Sequence, residues 1–132
     1  MNRRAFLFAG LALPALPVVA PVAALAASGV EVIYVGGLDC PYCTMWKDKY
    51  KAEWLASPEY KKVTYIEVDS PKLREAYQER FWPGDLKGIL AQVPNKGGTP
   101  RFLIVKDGRV VFNDLGVDRW NRAMLALKNV LG

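Results

Sequence analysis

The stretch Gly36-Gly37-Leu38-Asp39-Cys40-Pro41-Tyr42-Cys43 constrains this chain more than any other, because it holds both of its cysteines, two residues apart. It follows an apolar, β-branched run and opens a helical pattern. A thiolate is populated at neutral pH only where positive potential stabilises it. The free N–H groups and the dipole of a helix N-terminus supply that potential and can lower a cysteine pKa to roughly 3.5–7.5. Pro41 suits the first helical turn, where its missing N–H costs nothing. Cys43 falls one turn further on, close enough to attack a mixed disulfide formed by Cys40. This is the geometry of a reversible dithiol/disulfide switch.

The chain has 132 residues, and residues 1–26 do not read as part of a fold. Asn2-Arg3-Arg4 is a basic start, no charge follows from Ala5 through Ala27, and Ala24-Leu25-Ala26 fits a small-residue cleavage site. This pattern predicts a cleavable export signal. An uncleaved membrane anchor is the alternative, weakened by Pro14, Pro17 and Pro21, each of which removes a helix hydrogen bond. Arg3-Arg4-Ala5-Phe6-Leu7 resembles a twin-arginine signal. Residues 27–132 then make one domain with one core. The formal charge of +5 falls by two without Arg3 and Arg4. The remaining basic residues are spread out, apart from Lys47, Lys49 and Lys51, which read as a solvated helix face. A nucleic-acid partner is not expected.

Val30 to Val35 reads as a strand ended by Gly36-Gly37. From Pro41 to Ala56, Cys43, Trp46, Tyr50 and Trp54 recur at helical spacing and should face the core, with Ser57-Pro58 as the stop. Val63 to Val68 reads as a second strand, and the connection is long enough for a parallel crossover. Two short helices are expected next. One is capped by Asp69 or Ser70, with Leu73, Ala76, Tyr77 and Phe81 as its stripe. Trp82-Pro83-Gly84 breaks it, and Asp85 caps the other, with Leu86, Ile89, Leu90 and Val93 as its stripe. Thr99-Pro100 leads into Phe102 to Val105, Asp107-Gly108 marks a hairpin, and Val110 to Phe112 returns. Asp118 to Leu131 reads as an amphipathic helix with Asp118 as its cap and Trp120, Met124, Leu127 and Leu131 on one stripe.

The order β-α-β, helical segment, Pro, β-hairpin, α resembles the thioredoxin fold over essentially the whole of residues 27–132. Three linked features carry the resemblance: Cys40-Pro41-Tyr42-Cys43 after a strand, Thr99-Pro100 before a strand, and the hairpin with its terminal helix. The fold implied is α/β, a central mixed β-sheet flanked by helices. An extended helical segment stands between the second strand and the Thr-Pro loop. The resemblance implies that Cys40 is the exposed nucleophile and Cys43 the resolving thiol. It also implies that Pro100 is a cis-proline lying against the disulfide, with the backbone of Thr99 free to pair with a substrate strand. Pro41, Tyr42, Thr99 and Pro100 are thus the expected substrate contacts.

Pro41-Tyr42 between the cysteines resembles the glutaredoxin variant, and Gly116-Val117-Asp118 partly echoes the turn that holds glutathione there. The chain also departs from thioredoxin. Tyr34 stands at the position of its buried acid, Tyr65 aligns with that acid's lysine, and Asp39 replaces the aromatic residue before the first cysteine. Deprotonation of Cys43 then falls to water, Asp39 or another group. Phe81-Trp82-Pro83-Gly84 is either an apolar partner contact or a cover for the core.

With the export signal, the resemblance implies a periplasmic thiol–disulfide oxidoreductase without a cofactor, reducing a client protein's disulfide or mixed disulfide. Cytochrome c maturation and a sulfur-oxidation carrier are the candidate settings. A membrane thiol-electron transporter is its expected reductant, and the protein is expected to be a monomer. A disulfide oxidase and a Cu(I) metallochaperone on the same fold are the alternatives. A purely structural role is weak, because a disulfide closing so short a loop contributes only about 2 kcal/mol. A resident metal is not expected. The chain has no histidine, zinc would need two further ligands, and Met45, a soft Cu(I) ligand, stands at i+2 from Cys43 and points elsewhere on the helix. The missing histidine also excludes a Cys-His pair and a Ser-His-Asp triad.

Overall fold

The computed structural model describes residues 28–132 together with Gly10. The export signal expected over residues 1–26 lies outside the described residues. Four strands form one sheet: β1 (Val30–Gly37), β2 (Thr64–Ser70), β3 (Arg101–Lys106) and β4 (Arg109–Leu115). Their spatial order is β2-β1-β3-β4. β1 runs parallel to β2 and antiparallel to β3, and β3 pairs antiparallel with β4. The helical connection between β1 and β2 makes the parallel pair accessible. Asp107 and Gly108 both adopt positive φ (50° and 81°) in the two-residue turn between β3 and β4, as a twist-matched hairpin requires. Register slips by one residue after Ile104, which pairs with Phe112 while Val105 pairs with Val110. Val111 is the extra residue of this bulge and turns outward.

The helical run from Pro41 to Ala56 is continuous, as the stripe predicts, but it is not uniform. α1 (Pro41–Trp46) and α2 (Ala52–Ala56) flank a π turn at Lys47–Lys51. Residues four apart drift round an ordinary α-helix of 3.6 residues per turn, and the wider π turn offsets that drift. Trp46 and Trp54 are both fully buried as a result. Ser57 is extended (φ −75°, ψ 151°) and closes the helix, as the residue before a proline should.

Alternation along the strands divides the core between the two sheet faces. Val30, Val32, Tyr34, Phe102 and Ile104 face α1, α2 and the C-terminal helix, with Cys40, Cys43, Trp46, Trp54, Trp120 and Leu127. Ile33, Val35, Val68, Leu103 and Val105 face the segment between β2 and β3, with Ala76, Trp82, Leu86, Ile89, Leu90 and Val93.

That segment corrects the two-helix expectation. Its regular structure is three 3₁₀ turns, at Leu73–Glu75, Glu79–Phe81 and Gly84–Leu86, followed by a single α turn, α3 (Lys87–Leu90). Gln78 is extended (ψ 133°) and interrupts the first stripe. The expected caps are also absent. Asp69 and Ser70 belong to β2, and Ser70 is buried with its hydroxyl donating to the carbonyls of Lys72 (2.6 Å) and Gly36 (3.3 Å). Asp85 lies inside a 3₁₀ turn whose cap position is Pro83. Trp82 settles the choice for the aromatic stretch. It is buried, and its indole N–H donates to the carbonyl of Ala76 at 2.8 Å, so it covers the core.

The last helix, α4 (Trp120–Leu131), starts two residues later than expected, after a 3₁₀ turn at Val117–Arg119. Asp118 sits in that turn and makes no cap bond; Trp120, Ala123 and Leu127 are the buried stripe. No helix among the described residues is long and apolar enough to cross a membrane.

Candidate redox site

The site forms where three chain segments meet at one end of the sheet. β1 delivers the Cys40 loop, α1 starts there, and the Thr99–Pro100 loop enters β3 beside it. The Cys40 N–H donates to the Gly37 carbonyl at 3.2 Å and the Leu38 N–H to the Ser70 carbonyl at 2.8 Å, which turns the chain out of the strand. Cys40 is the N-cap of α1 (φ −94°, ψ 113°) and Pro41 opens the helix. Cys40 and Cys43 form a disulfide with Cα atoms 5.2 Å apart. Two donors converge on Cys40 Sγ: the Cys43 backbone N–H at 3.1 Å and the Thr99 hydroxyl at 3.1 Å. When the disulfide is reduced, both favour the charged sulfur over the neutral thiol. Cys43 has no comparable donor set among the described hydrogen bonds, so the two sulfurs are chemically unequal.

The structure overturns one part of the expectation. Cys40 is not exposed: 2% of its surface is accessible, against 1% for Cys43. Its neighbours are exposed instead: Leu38 (68%), Tyr42 (62%) and Met45 (51%), in the loop and helix start around it. Pro41 is also exposed, Thr99 is half-buried, and Pro100 is buried. The Thr99–Pro100 peptide bond is cis. A groove of about 490 Å³ opens between these elements, lined by Tyr42, Met45, Tyr50, Thr99, Val117 and Asp118. Of the site residues read from the sequence, Thr99 reaches Cys40 Sγ and lines this groove with Tyr42 and the Gly116–Asp118 turn. Met45 lines this groove. Among the described residues no group of three His, Cys, Asp or Glu side chains could hold a metal ion.

Asp39 does not stand free beside the sulfurs. Its carboxylate accepts the Leu73 N–H at 2.6 Å, tying the Cys40 loop to the segment after β2. Gly37 makes this close approach feasible, since a Cβ there would run into the Leu73 backbone.

Tyr34 and Tyr65, where the resemblance places an acid and its lysine, are neutral phenols. Burial pushes the Tyr34 hydroxyl far above the usual phenol range, and the Asp69 carboxylate adds to the shift. Tyr65 is pushed up by burial first and then by Glu67, whose carboxylate accepts its hydroxyl at 2.9 Å. Tyr34 stacks on Trp46 with ring centroids 4.9 Å apart. The lysine helix face is likewise more than a solvated surface. Lys47 reaches Asp69 and Lys51 reaches Glu67, each at 2.6 Å, and the Lys47 ammonium sits 5.3 Å from the Tyr34 ring centroid. The signal was in the sequence: lysines at i and i+4 on one helix face, opposite acids two apart on one strand face. Arg101 and Tyr77 gave no such signal and were missed; they hold the loop that leads to Thr99.

No family model matches the chain, and no curated protein matches it. Solved structures do. Thioredoxin from Malassezia sympodialis is 19% identical at a TM-score of 0.55, over 80% of this chain and 77% of that one. Thioredoxin from Fasciola hepatica is 18% identical at a TM-score of 0.51, over 77% of this chain and 81% of that one. The periplasmic thioredoxin SoxS from Paracoccus pantotrophus, in its reduced form, is 14% identical at a TM-score of 0.51, over 78% of this chain and 96% of that one. At these identities the likeness shows the fold: this chain has the thioredoxin fold.

Proposed function

We infer that this chain is a thiol–disulfide oxidoreductase that works on a protein client outside the cytoplasm. The observation that carries the reading is the pair of donors on Cys40 Sγ, at the cap of a long helical run, with Cys43 bonded one turn away. In the reducing direction the Cys40 thiolate attacks one sulfur of a client disulfide. The client's other sulfur leaves with the electron pair and takes a proton from solvent. Cys43 then gives up its proton and attacks Cys40 Sγ, and the second client sulfur leaves. The client has gained two electrons, and the Cys40–Cys43 disulfide has formed. Burial of Cys40 means that the client must seat against Leu38, Tyr42 and Met45 before its sulfur can reach.

An oxidising compartment makes reduction, rather than oxidation, the step that needs a dedicated protein. The basic, then apolar, residues 1–26 support export to the periplasm. A membrane thiol-electron transporter is the reductant this reading requires. The client is a disulfide or mixed disulfide of the kind met in cytochrome c maturation or on a sulfur-oxidation carrier. Pro41, Tyr42, Thr99 and Pro100 are its contacts, and the protein acts as a monomer.

Trapping tests the roles. Cys43→Ser should accumulate client mixed disulfides on Cys40, whereas Cys40→Ser should trap none; equal trapping would sink the assignment of nucleophile and resolver. The equilibrium potential of the pair tests the direction. A value near −270 mV marks a reductase, and one near −120 mV an oxidase.

A further inference from the structure

Arg101 opens β3 on the sheet face that packs against the segment after β2, and its side chain is buried, with 4% of the residue accessible. A buried guanidinium ordinarily meets a carboxylate. This one meets only neutral groups among the described residues. Its Nε donates to the Tyr77 hydroxyl at 2.7 Å and its Nη1 to Asn113 Oδ1 at 2.5 Å. Its Nη2 donates to the carbonyls of Asn95 and Gly97. The Tyr77 hydroxyl in turn donates to the Gly98 carbonyl at 2.6 Å, and its ring lies 5.3 Å from the guanidinium. Burial raises the Tyr77 pKa and Arg101 only partly offsets this, so the hydroxyl keeps its proton at neutral pH. Three carbonyls of one four-residue turn are thus held by this pair. The next residue is Thr99, with its hydroxyl on Cys40 Sγ. A charge buried among neutral groups is an expensive way to fill a core site. What it supplies is geometry, five donors in a rigid fork.

We propose that Arg101 and Tyr77 are positioning residues for the redox pair, holding the Asn95–Gly98 turn so that Thr99 keeps its hydroxyl on Cys40. This rests on the thiol–disulfide reading of the site. A thiolate is a stronger acceptor than a neutral thiol, so the Thr99 hydroxyl lowers the Cys40 pKa in the reduced protein. A slack turn gives up that effect while leaving the fold in place.

The experiment is a pH titration of thiolate absorbance in the full chain carrying Cys43→Ala, which leaves one thiol. Thr99→Val should raise the Cys40 pKa by about one unit, a tenfold change in the thiolate equilibrium. Tyr77→Phe, which keeps both the ring and the Arg101 charge, should raise it in the same direction. The two rises should not add, because both act through one hydrogen bond. Arg101→Lys keeps the charge but loses the fork, and should behave as Tyr77→Phe does. The proposal is overturned if Thr99→Val or Tyr77→Phe leaves the pKa unmoved. Full additivity of the two, or a parental pKa in Arg101→Lys, overturns it equally. Exchange with a small aromatic disulfide, measured on the unmutated chain, separates the two levels. No exchange there sinks the oxidoreductase reading and leaves the pKa result standing.

Discussion

The two faces of the sheet are buried equally well but built differently. On the face of the Cys40–Cys43 disulfide, long helices cover the sheet and the contacts are aromatic. Trp46 meets Tyr34, Phe102 and Trp120 at centroid distances of 4.9, 5.4 and 5.2 Å. The indole N–H groups of Trp46 and Trp54 find no acceptor among the described residues. On the other face the cover is a chain of short turns, and polar side-chain bonds fix its path. Asp39 holds Leu73, the Trp82 indole holds Ala76, and Tyr77 and Arg101 hold the Asn95–Gly98 turn. Gln92 donates to the Gly108 carbonyl and accepts the Val110 N–H, both at 2.9 Å. A regular helix satisfies its own backbone, so its side chains are free to be apolar. A path of turns leaves backbone groups over, and side chains must answer them.

The largest effect should come from deleting packing on the helical face. Trp46→Ala removes the ring shared by three aromatic neighbours and should cost about 3–5 kcal/mol. That is a large part of the stability of a domain this size, and chemical denaturation reads it directly. A sharper probe makes one substitution on both faces. Trp46→Phe leaves a cavity but removes only an N–H that has no acceptor, so its cost should be that of the lost volume alone, about 1–2 kcal/mol. Trp82→Phe also strips the Ala76 carbonyl of its partner, adding about 1–3 kcal/mol. Amide exchange should then quicken between residues 73 and 98 and not in α4. If the two variants cost the same and protection falls uniformly, the contrast between the faces is wrong. The smallest effect concerns Glu31. Desolvation first, then Asp85, raises its pKa above the ordinary carboxylate value of 4.5, and one of its oxygens has no partner among the described residues. The folded state therefore binds this proton more tightly than the unfolded state, and stability falls as pH rises between the two pKa values. Glu31→Gln should raise the melting temperature at pH 7–8 and lose that advantage below pH 4. Solvent screening keeps the gain within about 0.5 kcal/mol.

The contrast between the faces also accounts for what could be read in advance. Where apolar spacing and backbone periodicity agree, as at Cys43, Trp46 and Trp54 or at Trp120 and Leu127, both the element and its buried side were legible. In the segment after β2 the spacing found most of the right residues: Ala76, Leu86, Ile89, Leu90 and Val93 are buried, while Leu73, Tyr77 and Phe81 are half-buried. It failed on the backbone. Pro71, Pro83 and Gly84 oppose long helices there, and the path depends on partners 21 to 34 positions away, such as Gly98 for Tyr77 and Asp39 for Leu73. No local pattern encodes such a partner.

By itself the sequence determined the order of the elements, the parallel crossover, the hairpin turn and the pairing of two thiols at a helix start. Each of these follows from side-chain periodicity or from the φ preferences of Gly, Pro and Asp over a few neighbouring residues. Only the tertiary structure decided that Cys40 is covered and that Thr99, 59 positions away, sets its hydroxyl on Cys40 Sγ. It alone showed that a buried arginine holds the turn between them. Those facts depend on which distant groups meet when the two sheet faces close, and a hydrogen bond is set by position in space, not by separation along the chain.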